Sequence, residues 1–287
     1  PVKISFTHQK LHVKVYNHQL PKQISYNSLV PVEGWTVPIG MSLDGPVYHD
    51  FDRLPHMIVS GTTTWGKTVF MRSLMVHLIE HHPEDAEFYI LDLKGGLAFN
   101  PYRNLKQVKA VAGDYKQSEK VLKMVKKRIK EDMNYLKSIN AENAKEGNIS
   151  SRKFIIVDEA GELRPESGMS DANKAYVKEC QSILSHIARV AGQLGYKLIF
   201  GTQYPTKEIL NPQIKANAVA RVSFRLTTSV QSGVAIDQPG AEKLECPGRA
   251  IYKTVDEHLV QTPSIDKKEI WERIGRYNNV SPTTKKN

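Results

Sequence analysis

The sequence predicts an α/β fold with a mostly parallel, helix-covered sheet. Three observations carry that reading. Short, fully apolar runs alternate with longer helical patterns, as in βαβ units. Several of these runs end in polar residues, Ser60, Asp92, Asp158, Thr202 and Gln203, at the sheet edge where such folds bind ligands. Finally, "IVSGTTTWGKTVF" (58–70) places a glycine loop between a strand and a helix.

Taken in order, residues 1–33 are polar and weakly alternating, and read as β-rich. "GWTVPIGMSLDGPVYHDF" reads as a hairpin turning at Leu43-Asp44-Gly45-Pro46. Together they make a small lead-in, residues 1–52. The main unit, residues 53–262, opens with the buried strand His56–Ser60. Gly61 to Thr68 then fits G-x-x-x-x-G-K-[ST], a pattern expected by chance about once in a hundred chains of this length. Val69 to His82 carries enough apolar residues for a helix with a wide buried face.

A loop in this context converges backbone N–H groups on a phosphate, aided by the helix N-terminus. Gly61, Thr62, Thr63, Thr64, Trp65, Gly66, Lys67 and Thr68 are therefore the candidate ATP-binding residues. Lys67 would reach the β/γ-phosphates, and the Thr68 hydroxyl would hold Mg²⁺. A strand-to-helix turn with an exposed lysine is the plain alternative for that stretch alone.

"EFYILDLKGG" is a second buried strand, ending near Asp92 and Lys94, and a long helical region follows. "KFIIVDEAGEL" (153–163) is a third. Its Asp158 suits the Mg²⁺ shell, and Glu159 beside it can polarise a water. "SILSHIARVAGQLG" reads as a helix, "YKLIFGTQYP" and "VARVSFRL" as strands, and "RAIYKTVDEHLVQTP" as a closing hairpin or paired edge. Residues 263–287 form a polar C-terminal helix and tail.

The chain has 287 residues and a net charge of +10. Residues 101–153 hold 14 Lys/Arg against 6 Asp/Glu, so most of the surplus arises there. In "KVLKMVKKRIKEDMNYLKSI", Leu122, Val125, Ile129, Met133 and Leu136 define a core face and the lysines occupy the rest. A solvated helix face is the plain reading of that run, while the overall balance favours a polyanionic partner. No apolar run approaches the ~20 residues a membrane span needs. Two cysteines, Cys180 and Cys246, suit a reducing compartment. His77 and His81 lack a third metal ligand, and Cys180 and His186 fall on different helix faces. Trp35 and Trp65 are candidate base-stackers, with plain packing the alternative.

By "GTQYP", "IKANAVARVSF" and "DQPGAEKL" the sequence resembles the FtsK–SpoIIIE translocase family over about residues 37–255. "LDLK" resembles the family's Asp-Pro-Lys element, "FIIVDEA" its Walker B, and "LGYKLIFGTQYP" its sensor strand. The resemblance implies a RecA-like P-loop ATPase, working as a homo-oligomeric ring, usually a hexamer, that pumps double-stranded DNA through its centre. Gln203 would then sense the γ-phosphate. The loop from Tyr204 to Lys215 would face the pore, with Tyr204, Lys207 and Lys215 at the DNA.

The family's Gly-Ser-Gly-Lys becomes Thr64-Trp65-Gly66-Lys67, and its Arg after Thr-Gln becomes Tyr204. The indole of Trp65 is expected to point away from the phosphates, over the nucleotide or against a neighbour. Two family arginines align with Gly192 and Gly233, leaving Arg189 and Arg221 as candidates for the arginine supplied to a neighbouring subunit. Too little chain follows residue 265 for a sequence-reading winged helix, which turns the expectation toward conjugative or plasmid transfer. The chain would be a cytoplasmic motor domain, tethered to a membrane-anchored conjugation or secretion apparatus by segments outside it. The alternatives are a motor like those of type VII protein secretion, and a non-hydrolysing nucleotide-binding ring module.

Overall fold

The structure is a computed structural model that describes residues 1–7, 10–29 and 32–279. Strands β1 (Val2–Thr7) and β2 (Lys10–Val15) form a separate antiparallel pair, followed by the short β3 (Ile24–Ser25). The hairpin β4 (Thr36–Ser42) and β5 (Gly45–Asp50) turns where the sequence expects. Then come β6 (His56–Ser60), α1 (Lys67–His81), β7 (Ala86–Leu91), β8 (Val108–Ala112), α2 (Tyr115–Ser138), β9 (Arg152–Val157) and α3 (Asp171–Val190). The chain continues through β10 (Tyr196–Thr202), α4 (Pro212–Asn217), β11 (Ala220–Ser223), α5 (Ser229–Ile236), β12 (Arg249–Lys253) and β13 (Glu257–Gln261). It closes with β14 (Pro263–Ser264), paired to β3, and α6 (Lys267–Ile274).

One ten-stranded sheet organises the molecule, in the order β5-β4-β13-β12-β11-β6-β10-β9-β7-β8. From β11 to β8 every pairing is parallel; from β11 to β5 every pairing is antiparallel. The fold is thus α/β with the parallel half carrying the predicted strand ends. Side chains alternate between two cores, as pleating requires. Met57, Val59, Phe154, Ile156 and Ile199 face α1 and α6, while Ile58, Ile155, Val157, Leu198 and Phe200 face α2, α3 and α4. Burial on both faces explains why these strands read as continuous apolar runs.

Three features differ from the sequence reading. The hairpin β4–β5 does not stand apart in a lead-in ending at residue 52; it extends the main sheet through Gln261 opposite Met41. The region after Asp92 is not all helix, because β8 adds an edge strand before α2 begins at its Asp114 cap, which accepts a 2.7 Å hydrogen bond from Gln117 N. And α6 is more than a polar appendage. Ile270 and Ile274 are buried against the α1 side, and Trp271 stacks on Tyr102 at 5.3 Å. The tail beyond Asn279 lies outside the described residues.

Trp35 is buried and stacked on His82 at 3.8 Å, so packing accounts for it. His77 and His81 stack on each other at 4.1 Å, and no cluster of three or more metal-ligating side chains exists among the described residues. Cys180 is fully buried, and burial pushes its thiol up to about 12, which makes it inert at neutral pH. Among the described residues no helix is long and apolar enough to cross a membrane.

Candidate nucleotide site

The carboxyl ends of β6, β7, β9 and β10 converge on the start of α1. Lys67 is the first residue of α1, and its ammonium is buried. It donates to the Asp158 main-chain oxygen and, at 3.2 Å, to Asp158 Oδ1. Thr68 Oγ1 donates to the same Oδ1 at 3.3 Å. Glu159 Oε2 lies 3.9 Å from the Lys67 ammonium. Glu159 also accepts from Thr202 Oγ1 at 3.2 Å, from Gln203 N at 3.0 and 3.2 Å, and from Gly161 N at 3.3 Å. The Gln203 side-chain oxygen accepts from Thr63 Oγ1 at 3.4 Å. Gln203 therefore links the glycine loop, through its side chain, to Glu159, through its backbone N–H.

The loop can approach a phosphate because of its glycines. A Cβ on Gly61 would lie 2.6 Å from Phe224 Cβ, so no other residue fits against β11 there. Gly66 has φ +110°, a conformation that glycine alone adopts freely. Gly61 N and Thr62 N are already bonded to Thr202 O and Arg225 O. The phosphate-facing donors are thus the later amides at the mouth of α1, whose helix leaves them without intrahelical partners.

Within this chain Trp65 packs on Arg225. Its ring is partly buried beneath the Arg225 guanidinium, 4.8 Å away, and Arg225 is anchored on Leu244 O at 3.0 Å. Thr62 is tied to the Arg225 carbonyl through both its amide and its hydroxyl. No motif marks Arg225 in the sequence; only the fold brings it over the loop.

Thr64 occupies φ +67°, which is unfavourable for a β-branched residue. Such strain costs about 1–3 kcal/mol, against about 0.5–1 kcal/mol for the extra chain entropy of glycine. Thr64→Gly should therefore stabilise the protein by about 1 kcal/mol. Urea unfolding checks it: an unchanged or lower midpoint means the loop carries no relievable strain.

A hydroxyl and a carboxylate oxygen side by side, with a buried ammonium next to them, fit the hard-donor set that Mg²⁺ takes up together with substrate phosphates. Thr68 and Asp158 would hold the ion there, and it would neutralise charge on the β/γ-phosphates. Asp92 lies one strand over. Burial raises its carboxyl above the ordinary range despite a 2.7 Å bond from Phe99 N, and the Asp158 charge adds to the rise.

The remaining predicted residues do not join this cluster. Arg221 donates to Asp237 and, at 3.3 Å, to Lys215 O. Lys215 pairs with the same Asp237 at 2.6 Å. Burial opposes the Asp237 charge, but the bonds from Lys215 and Arg221 keep its carboxyl below the ordinary value. Within this chain Arg221 and Lys215 are thus both paired to Asp237, away from the Lys67 cluster. Nothing in the local sequence signals Asp237 as their shared partner.

Arg189 is exposed near the end of α3. Because α3 runs from the top of β9 back to the start of β10, Arg189 sits at the sheet end opposite Lys67. It lines a cleft of about 490 Å³ with Lys126, Lys178 and His186. The aligned position, Gly192, cannot take an arginine unchanged, since a Cβ would lie 2.6 Å from Pro55. Tyr204 and Lys207 are exposed on the loop after β10.

A loop-held lysine, a threonine beside a strand-end aspartate, a neighbouring glutamate and a glutamine tied to the loop define a P-loop ATPase. The chain belongs to the FtsK/SpoIIIE family, whose model matches residues 34–242. It is 27% identical over 262 residues to the DNA translocase FtsK of Leptospira interrogans, covering 85% of this chain and 27% of that one. For the FtsK of Chlorobaculum tepidum the identity is 23%, with 87% and 33% covered, so the chain spans a third or less of either relative. Among solved structures it is similar to the pCW3 conjugation coupling protein TcpA in its monomer form with ATPγS (TM-score 0.82, 23% identity, 93% of this chain and 78% of that one). It is also similar to the cytoplasmic domain of the Thermomonospora curvata type VII secretion ATPase EccC (0.72, 19%, 93% and 32%).

Proposed function

We propose that this chain is the motor of a double-stranded-DNA translocase, acting as a homo-oligomeric, hexameric ring in conjugative or plasmid DNA transfer. The observation that carries the reading is the family match over residues 34–242, laid on an intact cluster of Lys67, Thr68, Asp158, Glu159 and Gln203. In it Lys67 and the loop amides hold the phosphates of ATP, Thr68 and Asp158 hold Mg²⁺, Glu159 takes a proton from water, and Gln203 reports the γ-phosphate to the loop beyond β10. Catalysis is then positioning and charge stabilisation. The motor works on the cytoplasmic side, joined to a membrane-anchored apparatus through other segments. A protein-export motor is the second reading, favoured by the fold shared with EccC; the +10 net charge supports DNA instead. An intact Glu159 speaks against a non-hydrolysing module.

ATPase rates with and without duplex DNA, at two salt concentrations, test the proposal. DNA stimulation that fades with salt is expected; indifference to DNA turns the reading toward export. Duplex contacts should be to phosphates and independent of sequence. Among the described residues Lys207 has no carboxylate partner, whereas Lys215 shares Asp237 with Arg221, a cluster that keeps one net positive charge. Lys207→Ala should therefore lower the salt slope of DNA binding by about one unit, with Tyr204 packing alongside, and Lys215→Ala should lower it by less. A drop seen only for Lys126→Ala/Lys178→Ala would move the duplex to the α2–α3 cleft.

A further inference from the structure

Glu159 has more partners than a proton acceptor can keep. Its Oε1 takes Thr202 Oγ1, Gln203 N and Gly161 N. That saturates one oxygen, since a carboxylate offers about four acceptor sites in all. Oε2 is the oxygen left for a water, and it too is occupied: Gln203 N stands at 3.2 Å and the Lys94 ammonium at 3.6 Å.

These partners differ in how they are held. Thr202 and Gln203 belong to the buried end of β10, and Gly161 to the turn that follows Glu159. Lys67 is buried and bonded to Asp158. The Lys94 side chain is 40% exposed. It is followed by Gly95 and Gly96, at φ +74° and +73°, and by Leu97, which is 83% exposed. Turning Lys94 away breaks one solvent-facing ion pair; turning any other partner away disrupts a strand end or the phosphate loop. A cleft of about 230 Å³ beside Glu159 is lined by Lys94 and also by Tyr204 and Thr206, so a swing of Lys94 has room and borders the loop after β10.

We propose that Lys94 is a positioning residue that blocks Glu159: while its ammonium covers Oε2 the carboxylate cannot accept the proton of the attacking water, and displacement of Lys94 frees it. The inference rests on Glu159 being the base. Lys94→Met should raise DNA-independent kcat about two- to five-fold, the size of an exposed ion pair, with KM for ATP unchanged. Lys94→Arg should restore the low rate, and in a Glu159→Gln background Lys94→Met should do nothing.

A kcat that falls or stays level in Lys94→Met overturns the inference, as does a rise that persists in the Glu159→Gln background. If Glu159→Gln alone keeps the parent rate, the base assignment is what fails, and the two results are told apart by that single variant.

Discussion

Lys67→Ala should lose ATP binding and turnover. The ammonium is buried between Asp158 and Glu159, so its contacts to phosphate form in a dry site, where each charge-assisted hydrogen bond contributes about 1.5–3 kcal/mol. Its removal also leaves the buried Asp158 carboxylate without its cation, which costs stability as well as affinity. Circular dichroism should accompany the ATP-binding measurement, so that loss of function in a folded protein is what is scored. Near-normal turnover in a folded variant would remove the phosphate-loop assignment. The same variant tests the neighbour's contribution. Mixed with Arg189→Ala subunits it should be more active than either alone, because some interfaces unite an intact pocket with an intact arginine. If Arg189→Ala by itself keeps the parent rate, the arginine supplied in trans is another.

Glu159→Gln should bind ATP and hydrolyse it about 10²–10⁴-fold more slowly. The amide oxygen can take the place of Oε1 and keep the bonds from Thr202, Gln203 and Gly161, so the backbone around it need not move. Only the proton-accepting oxygen is replaced, by an amide nitrogen that has no such capacity. Single-turnover hydrolysis separates chemistry from product release. A rate within a few-fold of the parent points to a different base, with Asp92 a buried carboxylate at the same sheet edge.

The parts legible in the sequence share a physical property: local pattern determines them. Phe154 to Val157 are apolar because both faces of β9 are covered, and Asp158-Glu159 follow because the strand ends at the ligand edge. The glycine loop is equally legible, since Gly61, Gly66, Lys67 and Thr68 stand at fixed spacing within eight residues, although the Phe224 side chain that Gly61 must clear lies far along the chain. The illegible parts depend on partners far along the chain. That Lys215 and Arg221 share Asp237, beyond β11 and α5, is not visible in any local pattern. Edge strand β8 was missed because "VKAVA", with basic residues around it, has too little alternation to stand out from the helix that follows. The buried Arg152 and Lys197 both lean on Asp52, 100 residues upstream of the first and farther from the second, so no window of sequence could pair them.

The seating of Trp65 has an optical consequence. Trp35 is fixed in the core on His82, and Trp271 is fixed on Tyr102. Trp65 is the remaining indole, carried on the loop that must grip phosphate and capped by a cation whose own carbonyl holds Thr62. Any rearrangement of that loop alters the distance between the guanidinium and the ring, and with it the emission of this one fluorophore. The chain thus contains an unlabelled reporter of its own nucleotide cycle, with buried Trp35 and partly buried Trp271 as a background that Trp65→Phe would isolate.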